Sequence, residues 1–207
     1  MKVGTGKAAG GSSPNKEAIT GAMAAFGLYQ VHMRHSRMDF FLRFLMSFVL
    51  GGIALVVLQG AGEKAFCTGI DRDFAMDNRQ PDSPFMMDDP MLKLGPKQAD
   101  LWKPVITAVN GMCGGGAFYA LGESEFIIAA EHATFFDPHT TYGMAACFEP
   151  MFMFDQMPWG ELVRMSLMGN YERISAQTAH GWGMVSEVVP GDQLLDHTME
   201  IASKLAS

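Results

Sequence analysis

Two apolar segments, each followed directly by a glycine-rich turn, constrain the fold of this chain more than any other feature. The first, Ile53 to Gln59, is a continuous run rich in β-branched residues with glycines on both sides. The second, Pro104 to Val109, has the same character and leads into Asn110-Gly111. Uninterrupted apolar runs of this length are typical of strands buried on both faces. They predict neighbouring strands of a covered sheet.

A helix between two such strands sets the fold class. A third strand is predicted at Glu125 to Ala129, and a glycine-rich turn followed by a helix at Gly116 to Gly122 separates it from the second. Strand, turn, helix and strand form a βαβ unit, which predicts an α/β fold with a parallel sheet. The C-terminal part is predicted to be mainly helical, with Ser175 as an N-cap and helices at Gly160 to Met168, Ser175 to Gly181 and Gln193 to Ala206.

The chain is expected to form one domain preceded by an arm. Residues 1–16 are rich in Gly, Ser and Lys, which predicts a flexible arm. Residues 17–207 are assigned to a single domain, because 207 residues suffice for one sizeable core. Within it, Glu17 to Leu50 favours helix.

Charge and cysteine content exclude several classes of function. The net charge of −7 and the lack of a basic stripe disfavour nucleic-acid binding. Three cysteines without CxxC spacing predict neither a disulfide framework nor a metal site. Reduced thiols are instead expected in a cytoplasmic protein.

One uncharged segment raises the question of a membrane. Phe44 to Leu58 carries no charge but is shorter than the ~20 residues of a spanning helix, and it contains Gly51-Gly52. We therefore predict no membrane partner. A weaker alternative treats Phe40 to Leu58 as a membrane-associating segment.

The two glycine-rich turns, Gly60 to Asp71 and Asn110 to Ala117, suggest chemistry at the strand ends. Glycine after a strand lets backbone N–H groups face a ligand, and two such groups converging on one carbonyl oxygen form an oxyanion hole. Tight packing of a βα connection is the alternative explanation. Neither turn has the spacing of a dinucleotide or P-loop site.

Four segments resemble consecutive blocks of the enoyl-CoA hydratase/isomerase (crotonase) superfamily, in family order. They are Leu55 to Asp71, Lys103 to Ala117, Phe126 to Gly143 and Ile174 to Pro190. The resemblance implies a spiral of ββα turns with a helical C-terminal part, an acyl-CoA thioester as substrate with no further cofactor, and a homo-oligomer, either trimer or hexamer.

The resemblance also implies a set of site residues. The thioester carbonyl would accept from the N–H groups of Ile70 and Gly116. Other positions that match substrate-binding residues are Ala65, Thr68, Gly69, Asp71, Met112, Gly115, Tyr119, Pro138 and Gly143.

Both carboxylates of a hydratase are replaced in this chain. The family places them at the positions of Tyr119 and His139, which puts simple hydration in doubt because hydration uses two carboxylates to hold and split water. His139 can serve as a base near neutral pH or as a hydrogen-bonded structural residue. Tyr119 can orient a substrate or fill the core.

Glu149 is the remaining carboxylate of interest. It follows Gly143 in a segment expected to be a loop, where isomerases and aryl-CoA dehalogenases of the family place a catalytic Glu or Asp. A solvated loop carboxylate is the alternative. Asp155 is a weaker candidate, and Asp137 is expected to be a turn residue.

These observations favour an enzyme that stabilises an acyl-CoA enolate, with isomerisation favoured over hydration. Glu149 and His139 are the predicted proton-transfer residues. A non-catalytic acyl-CoA-binding or scaffold protein is the competing hypothesis.

The N-terminal part is atypical of the family and members continue beyond the equivalent of Ser207, so apolar helix faces around Met151 to Phe154 are expected to be exposed and to favour association.

Overall fold

The strands form two sheets. The computed structural model describes residues 54–69 and 94–207, together with the backbone of residues 2–4. The larger sheet has the order β1 (Lys2–Gly4), β2 (Val56–Gln59), β4 (Val105–Val109), β6 (Phe126–Ala130) and β9 (Glu187–Val189). The smaller sheet has the order β3 (Ala65–Cys67), β5 (Met112–Gly114), β7 (Thr134–Phe136) and β8 (Ile174–Ser175).

The larger sheet is parallel from β2 to β9, as the apolar runs predict. Val56 pairs with Val105, and Ile106 pairs with Phe126, in parallel register. Every residue of β4 is fully buried. Only β1 runs antiparallel to its neighbour, β2. Continuous apolar strands occupy the centre of the sheet because both of its faces are covered.

Each of three strands of the larger sheet leads through a short turn into a strand of the smaller sheet. β2 leads to β3, β4 to β5 and β6 to β7. β3 and β5 are parallel, with Ala65 opposite Met112 and Cys67 opposite Cys113. This repetition confirms the expected α/β fold of ββα turns.

The helices agree with the predictions, with one addition. They are α1 (Ala117–Gly122), α2 (Phe148–Met153), α3 (Trp159–Met168), α4 (Ala176–Gly181) and α5 (Leu194–Leu205). Ser175 caps α4 as predicted, because its Oγ accepts from the Thr178 N–H at 3.1 Å. The start of helix α2, at Glu149, was expected to be a loop, whereas helix was expected around Met151 to Phe154. Helix α2 packs on α1, where a Cβ at Gly122 would lie 2.3 Å from the Phe152 carbonyl oxygen.

Several predictions fall outside the described residues. They concern the helix in Glu17 to Leu50, most of the arm and most of Phe40 to Leu58. Within the described ranges, no helix is both long enough and apolar enough to cross a bilayer.

Candidate functional site

The two glycine-rich turns lie against each other, because β3 and β5 are neighbours in the smaller sheet. A Cβ placed on Gly115 would lie 3.4 Å from the Cα of Gly69. Both residues have positive φ, 109° at Gly69 and 57° at Gly115, a region that glycine adopts without steric cost. The turns predicted to converge are therefore in contact.

The side chain of Asn110 fastens the first turn to the start of the second. Its Nδ2 donates to the carbonyls of Gly60, at 3.2 Å, and Gly62, at 2.6 Å, while its Oδ1 accepts from the Gly60 N–H at 3.0 Å. Asn110 is buried. The sequence indicated only a turn at this residue, and nothing in the local pattern identifies its partners.

Gly116 immediately precedes α1 with helical backbone angles, φ −56° and ψ −8°. It follows Gly115, the residue that lies against Gly69. Ile70 and Asp71 lie outside the described residues. The pairing of the Ile70 and Gly116 N–H groups in one oxyanion hole stays a prediction.

Tyr119, at a hydratase carboxylate position, is a fully buried residue of α1. Its ring centroid lies 5.1 Å from that of Phe152, with an interplanar angle of 58°. Tilted aromatic pairs of this kind stabilise packing between elements. The side chain therefore takes part in the contact between α1 and α2.

Asp137, His139 and Glu149 form one cluster, which we call the acid–base cluster. His139 Nδ1 lies 2.5 Å from Asp137 Oδ1, and His139 Nε2 lies 3.3 Å from Glu149 Oε1. The side chains of Asp137 and Glu149 are 1% and 7% exposed, whereas that of His139 is 20% exposed. Two buried carboxylates thus flank one partly accessible imidazole.

The acid–base cluster adjoins the second glycine turn. Asp137 directly follows β7, which is parallel to β5. A Cβ on Gly115 would lie 3.6 Å from Cγ of Pro138, the residue between Asp137 and His139. The residue that precedes His139 is therefore in contact with the second glycine turn.

A 3-10 turn, His139–Tyr142, carries the imidazole and is fixed at two points. Thr140 Oγ1 donates to the carbonyl of Ser166 at 2.9 Å, and the Asn170 N–H donates to Thr141 Oγ1 at 2.7 Å. These bonds join the turn to the C-terminal end of α3 and the residues that follow it.

Two members of the cluster differ from the expectations for them. Glu149 lies in the first turn of α2 and is buried, rather than on a solvated loop. Asp137 forms the expected turn, since its Oδ1 accepts from the His139 N–H at 3.2 Å, but the same oxygen also contacts the imidazole. Aspartate two residues before histidine was the signal that could have identified this pair.

The remaining predicted site residues differ in exposure. Thr68, Met112 and Gly143 are exposed, and Ala65 is half-buried on β3. Gly143 ends the 3-10 turn with φ 72°. Asp155 is exposed just beyond α2.

Two observations bear on metal and thiol chemistry. Within the described part of the chain, no group of three or more His, Cys, Asp or Glu residues could hold a metal ion. Burial raises the pKa of the Cys113 thiol well above its usual range, and nearby Cys67 adds to the effect. Cys113 is consequently a neutral core residue at ordinary pH.

Comparison with known proteins places this geometry in a family. The model of the enoyl-CoA hydratase/isomerase family matches residues 52–207. A carnitinyl-CoA dehydratase from Salmonella arizonae is 34% identical over 160 residues, which are 74% of this chain and 58% of that protein.

Solved structures agree with the sequence comparison. An enoyl-CoA hydratase/isomerase from Mycobacterium paratuberculosis has a TM-score of 0.68 and 31% identity, covering 90% of this chain and 65% of that one. A carnitinyl-CoA dehydratase from Mycobacterium avium has a TM-score of 0.58 and 30% identity, covering 72% and 57%. The chain thus spans less than two thirds of the length of each of these relatives.

The match begins just before β2 and runs to the last residue, so it includes both glycine turns, the acid–base cluster and all five helices described. The two sheets joined by repeated ββα turns agree with it. The chain belongs to the enoyl-CoA hydratase/isomerase family, the crotonase superfamily.

Proposed function

We propose that this chain binds an acyl-CoA thioester and transfers a proton next to the thioester carbonyl, with Glu149 as the base and His139 assisting it. The observation that carries the proposal is the 3.3 Å contact between His139 Nε2 and Glu149 Oε1 beside the second glycine turn. Membership of the family and the acyl-CoA named in the carnitinyl-CoA dehydratase relatives support it.

The proposed reaction proceeds through an enolate. The N–H groups of Gly116 and Ile70 polarise the thioester carbonyl, which makes a neighbouring C–H more acidic. Glu149 accepts that proton, and the electron pair of the C–H bond moves into the enolate. The reaction ends when the proton returns to carbon. No electron is gained or lost, so the residues of the chain suffice for the step.

Isomerisation of a double bond is the first candidate. It needs one group that removes a proton from one carbon and returns it to another, and we assign that role to Glu149. A hydratase instead holds water between two carboxylates, and the corresponding positions are Tyr119 and His139. Tyr119 is buried against Phe152, which disfavours its use in holding a water.

Reversible removal of water is the second candidate. Relatives from Salmonella arizonae and Mycobacterium avium are named carnitinyl-CoA dehydratases. The contact between Glu149 and His139 also supplies two proton-transfer groups, one of which could take a proton from carbon while the other protonates a leaving hydroxyl.

Self-association is part of the proposal. Met151, Phe154 and Trp159 are 70%, 57% and 61% exposed, and the rings of Phe154 and Trp159 are in edge contact at 5.7 Å. Burying this apolar surface would favour a homo-oligomer, for which a trimer or hexamer is expected. Sedimentation at micromolar concentration tests this, and a stable monomer would contradict it.

The unpaired thiols suit a cytoplasmic protein.

The test is turnover of matched acyl-CoA thioesters by the whole chain. A 3-enoyl-CoA, a 2-enoyl-CoA and a 3-hydroxyacyl-CoA distinguish isomerisation from hydration and dehydration. Glu149→Gln keeps the shape of the side chain but removes the base, so turnover should fall by about 10²–10⁴-fold with affinity for the thioester nearly unchanged.

The matched control is Glu187→Gln. Glu187 also contacts a histidine, His197, at 2.7 Å, but it is exposed and distant from the glycine turns. Its substitution should leave turnover within twofold. Thioester binding without turnover of any of the three compounds would replace the catalytic proposal with the non-catalytic acyl-CoA-binding alternative.

A further inference from the structure

Asp137 is buried more completely than its place in a turn requires. Its side chain is 1% exposed, Oδ1 contacts both the backbone N–H and Nδ1 of His139, and Oδ2 has no hydrogen-bond partner in the described part of the chain. Burying a carboxylate with one oxygen unsatisfied is costly. An asparagine would form the same turn without a buried charge. The carboxylate must therefore contribute something beyond the turn.

The geometry defines what it can contribute to the imidazole. A carboxylate only accepts hydrogen bonds, so the 2.5 Å contact requires the proton on Nδ1 of His139. With Nδ1 committed to Asp137, Nε2 is the nitrogen directed at Glu149, at 3.3 Å. The two contacts lie on opposite sides of one ring and hold it in a single orientation.

We propose that Asp137 is a positioning residue that fixes the tautomer and orientation of His139, so that His139 Nε2 and Glu149 form a two-site proton relay. This inference rests on the proposed function. Before turnover Nε2 carries no proton and, like the ionised Glu149 3.3 Å away, presents a lone pair. The proton that Glu149 accepts from the substrate carbon passes to Nε2, which forms an imidazolium whose charge Asp137 balances. Nε2 then donates the proton to the second substrate atom, or returns it to Glu149, which donates it in turn. Glu149 is thereby restored as a carboxylate while the enolate persists.

The relay gives Glu149 a feature that a lone carboxylate lacks. A protonated Glu149 could return its proton only to a carbon within its own reach. Transfer to Nε2 adds a second donor 3.3 Å away, on the more exposed side of the cluster. This second donor suits a reaction in which the proton leaves one atom and returns to another.

The first measurement needs no substrate. Nuclear magnetic resonance should show a strongly low-field imidazole proton from the short bond between Nδ1 and Asp137, and both Asp137→Asn and His139→Gln should abolish it. Asp192→Asn, at an exposed aspartate before α5, should not. A signal that persists in Asp137→Asn overturns the assignment. If that variant does not fold, the presence of the signal in the native chain and its loss in His139→Gln decide instead.

The second measurement is a double-mutant cycle in turnover. Asp137→Asn should lower kcat by about threefold to tenfold, no more than loss of the imidazole itself, with KM changed by less than twofold, since it removes a charge without altering the turn. In the His139→Gln background the same change should have almost no further effect, because Asp137 acts through the imidazole. Independent, multiplying effects would overturn the proposal. If no thioester is turned over, the proposed function fails, whereas the magnetic resonance result still decides the role of Asp137 in orienting the ring.

Discussion

The glycine turns and the acid–base cluster lie side by side, but they are constructed in opposite ways. The turns are built from backbone, and Gly69 and Gly115 adopt positive φ, a conformation that residues with side chains rarely take. The cluster acts through side chains from two segments, Asp137 and His139 after β7 and Glu149 on α2. A Cβ would clash at Gly60, Gly111 and Gly114 of the turns, whereas we expect the cluster to be sensitive to the chemistry of its groups.

Because of this contrast, substitutions in the turns and in the cluster should affect different measured quantities. Substitutions in the turns should lower the free energy of unfolding, since they disturb contacts between strands of the smaller sheet. Shape-conserving substitutions in the cluster should lower turnover first. The following predictions run from the largest expected effect to the smallest.

Asn110→Ala should destabilise the protein most, by about 3 kcal/mol, because it removes three hydrogen bonds of about 1 kcal/mol each. Urea denaturation measures the loss. Gln177→Ala on the exposed side of α4 is the control and should change stability by less than about 0.5 kcal/mol. If both substitutions change the free energy of unfolding equally, the turns do not depend on the hydrogen bonds of the Asn110 side chain.

Gly114→Ala and Gly160→Ala should change stability in opposite directions. A Cβ on Gly114 would lie 2.5 Å from the carbonyl oxygen of Phe136, and such overpacking costs about 1–3 kcal/mol. A Cβ on Gly160, in α3, meets nothing within 4 Å, and alanine there should add up to about 1 kcal/mol through helix propensity. Thermal melting shows whether each variant is more or less stable than the native chain. If both variants change in the same direction, the packing described around Gly114 and Gly160 is wrong.

His139→Gln should lower turnover by about tenfold, equivalent to about 1.4 kcal/mol in the barrier. The fall should be smaller than that of Glu149→Gln, because the base remains and only its partner is lost. His197→Gln removes an imidazole paired with Glu187 outside the site and should leave turnover unchanged. A larger loss in His139→Gln than in Glu149→Gln would reverse the two roles.

The smallest effect should come from pH and the Cys113 thiol on β5. Burial raises the pKa of Cys113, so the folded chain keeps the proton at pH values where the unfolded chain, with a pKa of about 8.5, releases it. Stability is fully present below that value and falls as the pH rises through it. Between pH 8 and 9.5 the loss should be roughly 1 kcal/mol. In Cys113→Ala the free energy of unfolding should depend less on pH. If it depends on pH to the same extent as in the native chain, the Cys113 thiol is in contact with water rather than buried.

The sequence predicted those strands and helix ends that depend on residues close to them along the chain. Val105 to Val109 is buried on both faces and its apolar run indicates this directly, while Ser175 caps α4 through a neighbour three residues away. The first turn of α2, at Glu149, was missed because six residues form too short a helix to show a periodicity that marks its start. Helix α2 forms where Gly122 lets Phe152 approach α1.

The site shows the same division. Gly69 and Gly115 could be identified from glycine positions alone, since their positive φ favours glycine. His139 and Glu149 were predicted individually, and their contact depends on how α2 packs, which no spacing along the chain encodes. Asp137 was predicted only as a turn residue because its second role concerns a side chain rather than the backbone.

The Asn110 side chain also affects the order in which the protein can mature. Its hydrogen bonds reach Gly60, 50 residues earlier in the chain. During synthesis at about 5–20 residues per second, the first turn waits about 2.5–10 s before the residue that fastens it has been added. Until then β2 and the residues after it have no β4 to pair with, so the nascent chain carries an apolar strand with an open edge. A ribosome that pauses between these two points would prolong the interval in which that strand can pair with another chain.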